Sequence, residues 1–227
     1  MKGFLNNGFL KILYLKKMSK SPLILALPKG RVLKKILPLL DQTEFDLVDS
    51  PTKNRKILLD TKSPDLKIII VRGWDVPTYV LAGAAHIGVV GKDILVEKYS
   101  KDYFEIADLD VAHCRLSLAG PQDLDRKLTR LKIATKYPNF SKNYLSTQGV
   151  QAETIYLNGA IEIAPSLGLS DAIIDLVDTG STLRENGLVE LEVIKQVSSR
   201  LIVNKAALKT NGIIVDNLKT ILTLKQK

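Results

Sequence analysis

The chain has 227 residues, of which 45% are hydrophobic and 25% charged. This composition is typical of a soluble globular protein, and the length allows one large or two small α/β domains. A single cysteine, Cys114, excludes an internal disulfide and a multi-cysteine metal site, and it favours a reducing compartment. No apolar run approaches the roughly 20 residues of a membrane span. We therefore expect a cytoplasmic protein with no metal centre of its own and no membrane partner.

The net charge of +9 is unevenly distributed, because residues 1–20 contain five lysines and no acid. The remainder is mildly basic, which suits anionic small substrates. No stripe of lysine and arginine alternates with aromatic residues, so we expect no nucleic-acid partner. We interpret residues 1–20 as a basic, disordered extension, with Met18 as the natural start. The alternative is a short amphipathic arm that docks on a partner or a membrane surface.

Strand-like runs alternate with helical ones along the chain, which predicts an α/β fold with mixed, largely parallel sheets. The predicted strands are 23–27, 67–71, 87–90, 115–119, 132–135, 153–157, 172–177 and 188–197. The predicted helices are 31–40, 77–82, one that begins at 92, and one or two within 205–226.

The order of these elements predicts two lobes. The first would comprise residues 21–112 and 198–227, and the second residues 113–197. The chain would then cross twice between lobes and leave a cleft, which is a common place for a substrate site.

The segment from Glu162 to Leu183 carries the strongest chemical signal. It contains a buried strand with two acids, Asp175 and Asp178, followed directly by Thr179-Gly180-Ser181-Thr182. Backbone N–H groups and hydroxyls in such a turn suit a phosphate, and carboxylates suit sugar hydroxyls. Together they favour a phosphorylated ribose as ligand. The alternative is a solvated turn after a core strand.

Several cations lie where predicted strands end. Lys29, Gly30 and Arg31 form a strand-to-helix turn that suits a polyphosphate, although an ordinary turn has the same composition. Arg72 follows a buried strand, and in an open α/β sheet such a position faces the ligand crevice. Arg115 adds a cation near the predicted crossing. Trp74 is a candidate for stacking on a base, although a lone tryptophan is more often a packing residue.

Taken together, these segments resemble the ATP phosphoribosyltransferase family over about residues 23–208. The most specific match is the pattern Glu162, Gly168, Ser170, Ile173, Asp175, Leu176, Thr179, Gly180, Thr182 and Leu183. The segments L-P-K-G-R (27–31), D-V-P-T-Y-V (75–80), G-V-V-G-K-D (88–93), C-R-L (114–116), T-K-Y-P-N (135–139) and L-N-G (157–159) match in the same order. His86 departs from the pattern, since the family usually has Asp there.

The resemblance implies two lobes like those of type II periplasmic binding proteins. It also implies condensation of ATP with 5-phosphoribosyl 1-pyrophosphate (PRPP), with Mg²⁺, to give phosphoribosyl-ATP and pyrophosphate as the first step of histidine biosynthesis. The chain resembles the short form of the family, which would form a hetero-oligomer with a regulatory subunit related to histidyl-tRNA synthetase.

The resemblance and the chemistry together suggest a role for each site residue. Thr179, Gly180, Ser181 and Thr182 would hold the 5-phosphate, while Asp175 and Asp178 would face the ribose, with one of the two pointing inward. Arg31, assisted by Lys29, would stabilise the leaving pyrophosphate. Arg72 and Arg115 would neutralise the ATP phosphates, and Glu162 would bind a sugar hydroxyl or cap a helix.

Two other functions fit part of the pattern. A base-salvage phosphoribosyltransferase uses the same sugar donor, but its donor loop usually has adjacent acids, and its core is a single domain. A solute-binding protein shares the two-lobe architecture, but it would require export, and residues 1–20 make a poor signal.

Overall fold

The computed structural model of this chain describes residues 21–49, 56–124 and 130–224. Residues 1–20, for which we predicted a basic extension, lie outside these described ranges. Within the described residues two β-sheets form, each flanked by helices, and the chain passes from the first sheet to the second and back.

The first sheet has six strands, in the order β2-β3-β1-β4-β11-β5. These strands are β1 (Leu23–Pro28), β2 (Leu58–Asp60), β3 (Leu66–Val71), β4 (Ile87–Gly91), β5 (Tyr103–Asp108) and β11 (Ser199–Asn204). β1 pairs in parallel with β3 and β4, while the other pairs are antiparallel. β11 returns from the second sheet and therefore runs against β4.

The second sheet has five strands, in the order β10-β6-β9-β7-β8. They are β6 (Cys114–Gly120), β7 (Leu131–Thr135), β8 (Ala152–Tyr156), β9 (Ala172–Val177) and β10 (Val189–Val197). β7 pairs in parallel with β8 and β9, whereas β6 runs against β9 and β10. The expected α/β fold with two mixed sheets is confirmed. Antiparallel pairs are more frequent than we expected, because edge and return strands join each parallel centre.

Seven α-helices lie in the described residues. They are α1 (Arg31–Leu40), α2 (Val76–Leu81), α3 (Lys92–Glu97), α4 (Pro138–Thr147), α5 (Ser181–Glu185), α6 (Lys205–Thr210) and α7 (Gly212–Leu224). The apolar spacing of α1 buries Ile36 and Leu40 completely or nearly so. Both residues join a core that includes Val215, Leu218 and Leu222 of α7. The C-terminal helix therefore packs on the lobe that contains β1.

Successive side chains of a central strand face opposite sides of the sheet. Because helices cover both sides, apolar residues run continuously through these strands. In β1, Leu25 and Leu27 belong to the core beneath α1 and α7, whereas Ala26 belongs to the core beneath α2 and α3. Strands covered on both faces are apolar at successive positions. This arrangement leaves the strand ends and the turns after them as the places for polar chemistry.

The two segments that connect the sheets are bonded to each other. Leu109 N–H donates to the Ser199 carbonyl at 2.9 Å, and Ser199 N–H donates to the Val111 carbonyl at 3.0 Å. Asp110 and Ala112 have φ values of 49° and 56°, in the left-handed region that few residues with side chains adopt. The crossing is therefore a paired, tightly turned connection.

His86 has a structural role at the start of β4. Its Nδ1 accepts a hydrogen bond from the Ile24 N–H at 2.9 Å, which is a bond that a carboxylate could also accept. Burial lowers the pKa of the imidazole, which favours the neutral form that this bond requires. The departure from Asp is thus accommodated by a structural hydrogen bond at the start of the strand.

Candidate active site

The turn after β9 presents hydroxyls and backbone N–H groups together, and the Ser181 N–H donates to Thr179 Oγ1 at 3.4 Å. Gly180 has φ of 73°, and a side chain there would be strained. Helix α5 begins at Ser181, so the N–H groups of its first turn have no intrahelical acceptor. Thr179, Ser181 and Thr182 are exposed, and the hydroxyls of Thr179 and Ser181 lie 3.1 Å apart. This arrangement can surround an anion with several donors.

A cavity of about 290 Å³ lies against this turn. Its lining comprises Glu162, Ile173, Asp175, Leu176, Val177, Asp178, Thr179, Gly180, Ser181, Thr182 and Leu183. The fold therefore brings Glu162 to the two acids and the turn, as the sequence suggested. All the site residues predicted in the second lobe, apart from Arg115, share this cavity.

The two acids of the cavity differ in their surroundings. Asp175 is largely buried on β9, and burial raises its pKa to about 6, with the charges of Glu162 and Asp93 adding to the rise. The Leu176 N–H and Lys136 act in the opposite direction. Asp178 lies beyond the strand end with an exposed side chain. Asp175 is thus a largely buried acid with a raised pKa, and Asp178 is a surface carboxylate.

Arg31 of the other lobe contacts Asp178, one of the residues that line the cavity. Its Nη1 donates to Asp178 Oδ2, and its Nη2 donates to the Ala112 carbonyl at 3.1 Å. The preceding Gly30 has φ of 93°, which lets the chain turn sharply from β1 into α1. The Lys29 N–H is held by the Val71 carbonyl at 2.8 Å, while its side chain is exposed. A predicted catalytic cation from one lobe therefore meets a predicted catalytic acid of the other.

The remaining predicted cations occupy different settings. Arg72 follows β3 and is exposed, and no ion pair is formed with it by the residues described here. Arg115 is held by Glu190, with Nε to Oε1 at 2.6 Å and Nη2 to Oε2 at 2.7 Å. Its Nη1 donates to the Asp178 carbonyl at 2.7 Å. These bonds use both edges of the guanidinium, which does not favour the predicted contact with ATP phosphates.

The structure adds a buried contact between the lobes that the sequence did not predict. Tyr137 Oη donates to Asp93 Oδ2 at 2.8 Å. Glu97, at the end of α3, accepts the N–H groups of Asn139 at 3.1 Å and Phe140 at 2.9 Å. The carboxylate thereby caps the first turn of α4 from the other lobe. The motifs G-K-D and T-K-Y-P-N contain Asp93 and Tyr137, but nothing in the sequence indicates that they meet.

Trp74 belongs to this buried contact. Its ring centroid lies 5.5 Å from that of Tyr137, and the Lys98 and Lys136 ammonium groups lie 5.3 and 5.2 Å from the indole. Of the two interpretations of Trp74, the structure favours packing, here across the lobes, over stacking on a base. Lys136 lies close enough to influence the titration of Asp175, which makes it a further cation near the cavity.

Searches for other kinds of site gave two negative results for the described parts of the chain. In the ranges 21–49, 56–124 and 130–224, no three His, Cys, Asp or Glu side chains cluster as a metal site would require. None of the helices in those ranges has the length and apolar character needed to span a bilayer.

The architecture is that of a two-lobed periplasmic-binding-protein fold. The periplasmic aliphatic sulphonate binding protein SsuA from Escherichia coli superposes with a TM-score of 0.57 at 15% identity, covering 90% of this chain and 68% of that one. At this identity the likeness concerns the fold alone. The expected type II periplasmic-binding-protein-like class is confirmed.

Sequence comparison identifies the family. The family model HisG, ATP phosphoribosyltransferase, matches residues 72–225. An ATP phosphoribosyltransferase from Alcanivorax borkumensis is 50% identical over 205 residues, which is 90% of this chain and 94% of the relative. Another, from Novosphingobium aromaticivorans, is 46% identical over 218 residues, 90% of this chain and 97% of the relative. The chain belongs to the ATP phosphoribosyltransferase family.

A solved structure supports this membership. The ATP phosphoribosyl transferase (HisG:HisZ) complex from Thermotoga maritima contains a chain with a TM-score of 0.76 and 33% identity. The match covers 88% of this chain and 98% of that one. The predicted phosphoribosyltransferase activity in the first step of histidine biosynthesis is confirmed, and the base-salvage and solute-binding alternatives are set aside.

Proposed function

We propose that the cavity under the Thr179–Thr182 turn binds the ribosyl donor PRPP, and that Arg31 acts on its leaving pyrophosphate. The observation that carries this proposal is the meeting of the two lobes at the cavity, where Arg31 contacts Asp178. Arg31 of one lobe thus contacts Asp178, which lines the cavity together with the Thr179–Thr182 turn of the other lobe.

The reaction determines what these groups must do. The adenine N1 of ATP attacks the anomeric carbon of PRPP, and pyrophosphate leaves with the bonding electrons. Positive charge develops on the ribose while negative charge grows on the leaving group. The adenine nitrogen carries a lone pair, so the attack requires no general base. Catalysis therefore rests on positioning both substrates and stabilising separated charges.

Each residue has a role consistent with its setting. The hydroxyls and N–H groups of the turn bind the 5-phosphate, and Glu162 and Asp175 accept hydrogen bonds from the ribose hydroxyls. A carboxylate beside the ribose also stabilises its positive charge. Arg31 exchanges Asp178 for the pyrophosphate, with exposed Lys29 assisting, and exposed Arg72 is directed to the ATP phosphates.

We also propose that Mg²⁺ enters with the substrates. Mg²⁺ is usually bound by substrate phosphates and water together with one or two carboxylates. Asp178 is a carboxylate of that kind, and its exposed position at the cavity fits this mode better than a protein cage. In the Mg²⁺-bound substrate, the cation supplies charge neutralisation to the diphosphate.

The assembly of the Thermotoga maritima structure suggests a partner. That protein is described as a HisG:HisZ complex. We propose that this chain likewise forms a hetero-oligomer with a HisZ-like regulatory subunit related to histidyl-tRNA synthetase, in the cytoplasm. Co-purification from the native source should recover such a subunit, and recovery of this chain as a homo-oligomer alone would contradict the proposal.

The donor site can be tested with two single variants. Thr179→Ala and Thr182→Ala should weaken PRPP binding more than ATP binding, because each lost charge-assisted hydrogen bond to the 5-phosphate costs about 1.5–3 kcal/mol of binding free energy. Calorimetric titration with each substrate measures the difference, and pyrophosphate release checks the activity. Thr220→Ala, an exposed threonine on α7, is the control. Equal weakening of PRPP and ATP binding would show that the turn is not part of the donor site.

A further inference from the structure

A carboxylate–guanidinium network lies directly behind the phosphate-binding turn. Glu190 accepts two parallel hydrogen bonds from Arg115, at 2.6 and 2.7 Å, and a third from the Ser117 hydroxyl at 2.6 Å. About a quarter of each charged side chain is exposed. The pairing lowers the pKa of Glu190 and raises that of Arg115, so both remain ionised. A two-pronged pair of this kind fixes the guanidinium plane.

The sheet register explains where this fixed guanidinium points. Arg115 on β6 is paired with Val177, the last residue of β9. Its free edge therefore extends past the strand end, where Nη1 donates to the Asp178 carbonyl at 2.7 Å. Glu190 lies on the other side of β6, at the place where β10 has an irregular register between Glu190 and Glu192. Such a bulge changes the direction of a side chain relative to a regular strand.

We propose that Glu190 is a positioning residue for donor binding, which it serves by holding Arg115 against the backbone of the turn. The Asp178 carbonyl and the Thr179 N–H belong to one planar peptide unit and point in opposite directions. Fixing the carbonyl on Arg115 therefore fixes the direction of the first N–H of the turn. The inference rests on the proposed function of that turn as the 5-phosphate site.

This role differs from that of a direct ligand for ATP phosphates. The Glu190 carboxylate offsets the charge of Arg115, and the guanidinium edges are already bonded to Glu190 and Asp178. A phosphate would have to displace one of these partners. The two roles predict opposite results when the Glu190 charge is removed. A positioning role predicts weaker PRPP binding, whereas a ligand role predicts a freed guanidinium and tighter ATP binding.

The experiment compares Glu190→Gln with Glu192→Gln in the full chain, by calorimetric titration with PRPP and with ATP. Glu192 is a matched control, because it lies on the same strand and its carboxylate accepts a hydrogen bond from Tyr144 instead. We expect the PRPP dissociation constant of Glu190→Gln to rise about tenfold, the loss expected for one weakened charged hydrogen bond. ATP binding should be unchanged in both variants.

Arg115→Lys extends the comparison, because it retains the charge but loses the fork that holds both Glu190 and the carbonyl. It should reproduce the selective PRPP defect. Tighter ATP binding in Glu190→Gln, or a loss confined to ATP in Arg115→Lys, would overturn the proposal. Equal losses for both substrates with a lowered melting temperature would overturn it in favour of a merely structural ion pair.

Thr182→Ala, titrated in parallel, separates this inference from the function on which it rests. If Thr182→Ala leaves PRPP binding intact, the turn is not the donor site, and the proposed function fails. If Thr182→Ala weakens PRPP selectively and Glu190→Gln does not, only the positioning role fails.

Discussion

Among the described residues, two contacts between the lobes have opposite character. At the cavity, Arg31 and Asp178 form an ion pair whose side chains are 44% and 60% exposed. Beside α3 and α4, the contact consists of Asp93, Glu97 and Tyr137, which are 5%, 8% and 2% exposed. The Arg31–Asp178 contact is solvent-exposed. The second contact consists of buried polar groups that form hydrogen bonds across the lobes, either to each other or to backbone.

This difference implies a division of roles. An exposed ion pair contributes about 0–1 kcal/mol, because water solvates both charges when the pair separates. Water cannot replace the partner of a buried donor or acceptor. Removing that partner therefore lowers the free energy of unfolding by about 1–3 kcal/mol for each group left without a hydrogen bond. The buried contact therefore holds the lobes together, while the exposed pair of Arg31 and Asp178 can separate at little cost, as the proposed exchange with substrate requires.

Removing the cation of the exposed contact should have the largest effect, and that effect should be on catalysis. Arg31→Ala should lower turnover by about 100-fold, the loss typical of a group that stabilises charge developing in the transition state. The Michaelis constants should change less, and the melting temperature should be retained. Steady-state kinetics and calorimetry check both parts. A binding defect with normal turnover would contradict this role.

Removing the acceptor of the buried contact should affect stability instead. Glu97→Ala leaves two N–H groups of α4 without their acceptor, so the free energy of unfolding should fall by about 2 kcal/mol. Glu97→Gln retains an acceptor oxygen and should lose less. Chemical denaturation measures both, with the exposed Glu44→Ala as control. An unchanged unfolding midpoint for Glu97→Ala would show that this contact does not stabilise the protein.

Asp175 links the cavity to the buried contact, and its effect should appear as a dependence on pH. Its pKa is raised to about 6, and the ordinary value for Asp is about 4. The free energy of unfolding should therefore fall as the pH rises from about 4 to 6. In that range Asp175 has lost its proton in the unfolded chain but still holds it in the folded chain. Donor binding should change in the opposite sense, weakening by about tenfold from pH 7 to pH 5 as the carboxylate acceptor is protonated.

Asp175→Asn separates these two consequences. The variant cannot titrate, so both pH dependences should flatten over this range. Titrations with PRPP at several pH values, paired with denaturation curves, measure the change. A donor affinity in the native chain that is constant from pH 5 to 7 would show that Asp175 makes no bond to the ribose as a carboxylate.

The smallest effect should come from the exposed acid. Asp178→Asn should change the free energy of unfolding by less than about 0.5 kcal/mol, since the pair with Arg31 is solvated. If denaturation instead showed a loss as large as that of Glu97→Ala, the contrast between the two contacts would not hold.

The sequence predicted the elements whose own pattern carries a clear period. The helix Arg31–Leu40 and the strand Ala172–Val177 were predicted with the bounds that the structure shows. The strand Tyr103–Asp108 was missed, because most of its residues are at least partly exposed and it has no clear alternation. The helix Pro138–Thr147 was missed because its polar sequence buries little beyond Ser141 and Leu145.

The same limit applies to the site. The cavity at the Thr179–Thr182 turn, proposed here as the 5-phosphate site, could be located from the sequence because its acids, hydroxyls and glycine are adjacent in the chain. The partners of Arg115 could not, since Glu190 lies 75 residues away and its position depends on the register of three strands. For the same reason, the meeting of Asp93 with Tyr137 was beyond sequence reasoning. Motifs contain the reactive groups, whereas long-range pairing determines which of them are free.

The single tryptophan of the chain lies at the junction between the lobes. Indole emission responds to polarity and to nearby rings and charges, and Trp74 touches Tyr137 of the other lobe between two ammonium groups. Intrinsic fluorescence excited at the indole band therefore reports on the environment of this one contact, without a dye or an engineered residue. Rapid mixing with either substrate can therefore test directly whether this contact stays intact while the ligands bind in the native chain.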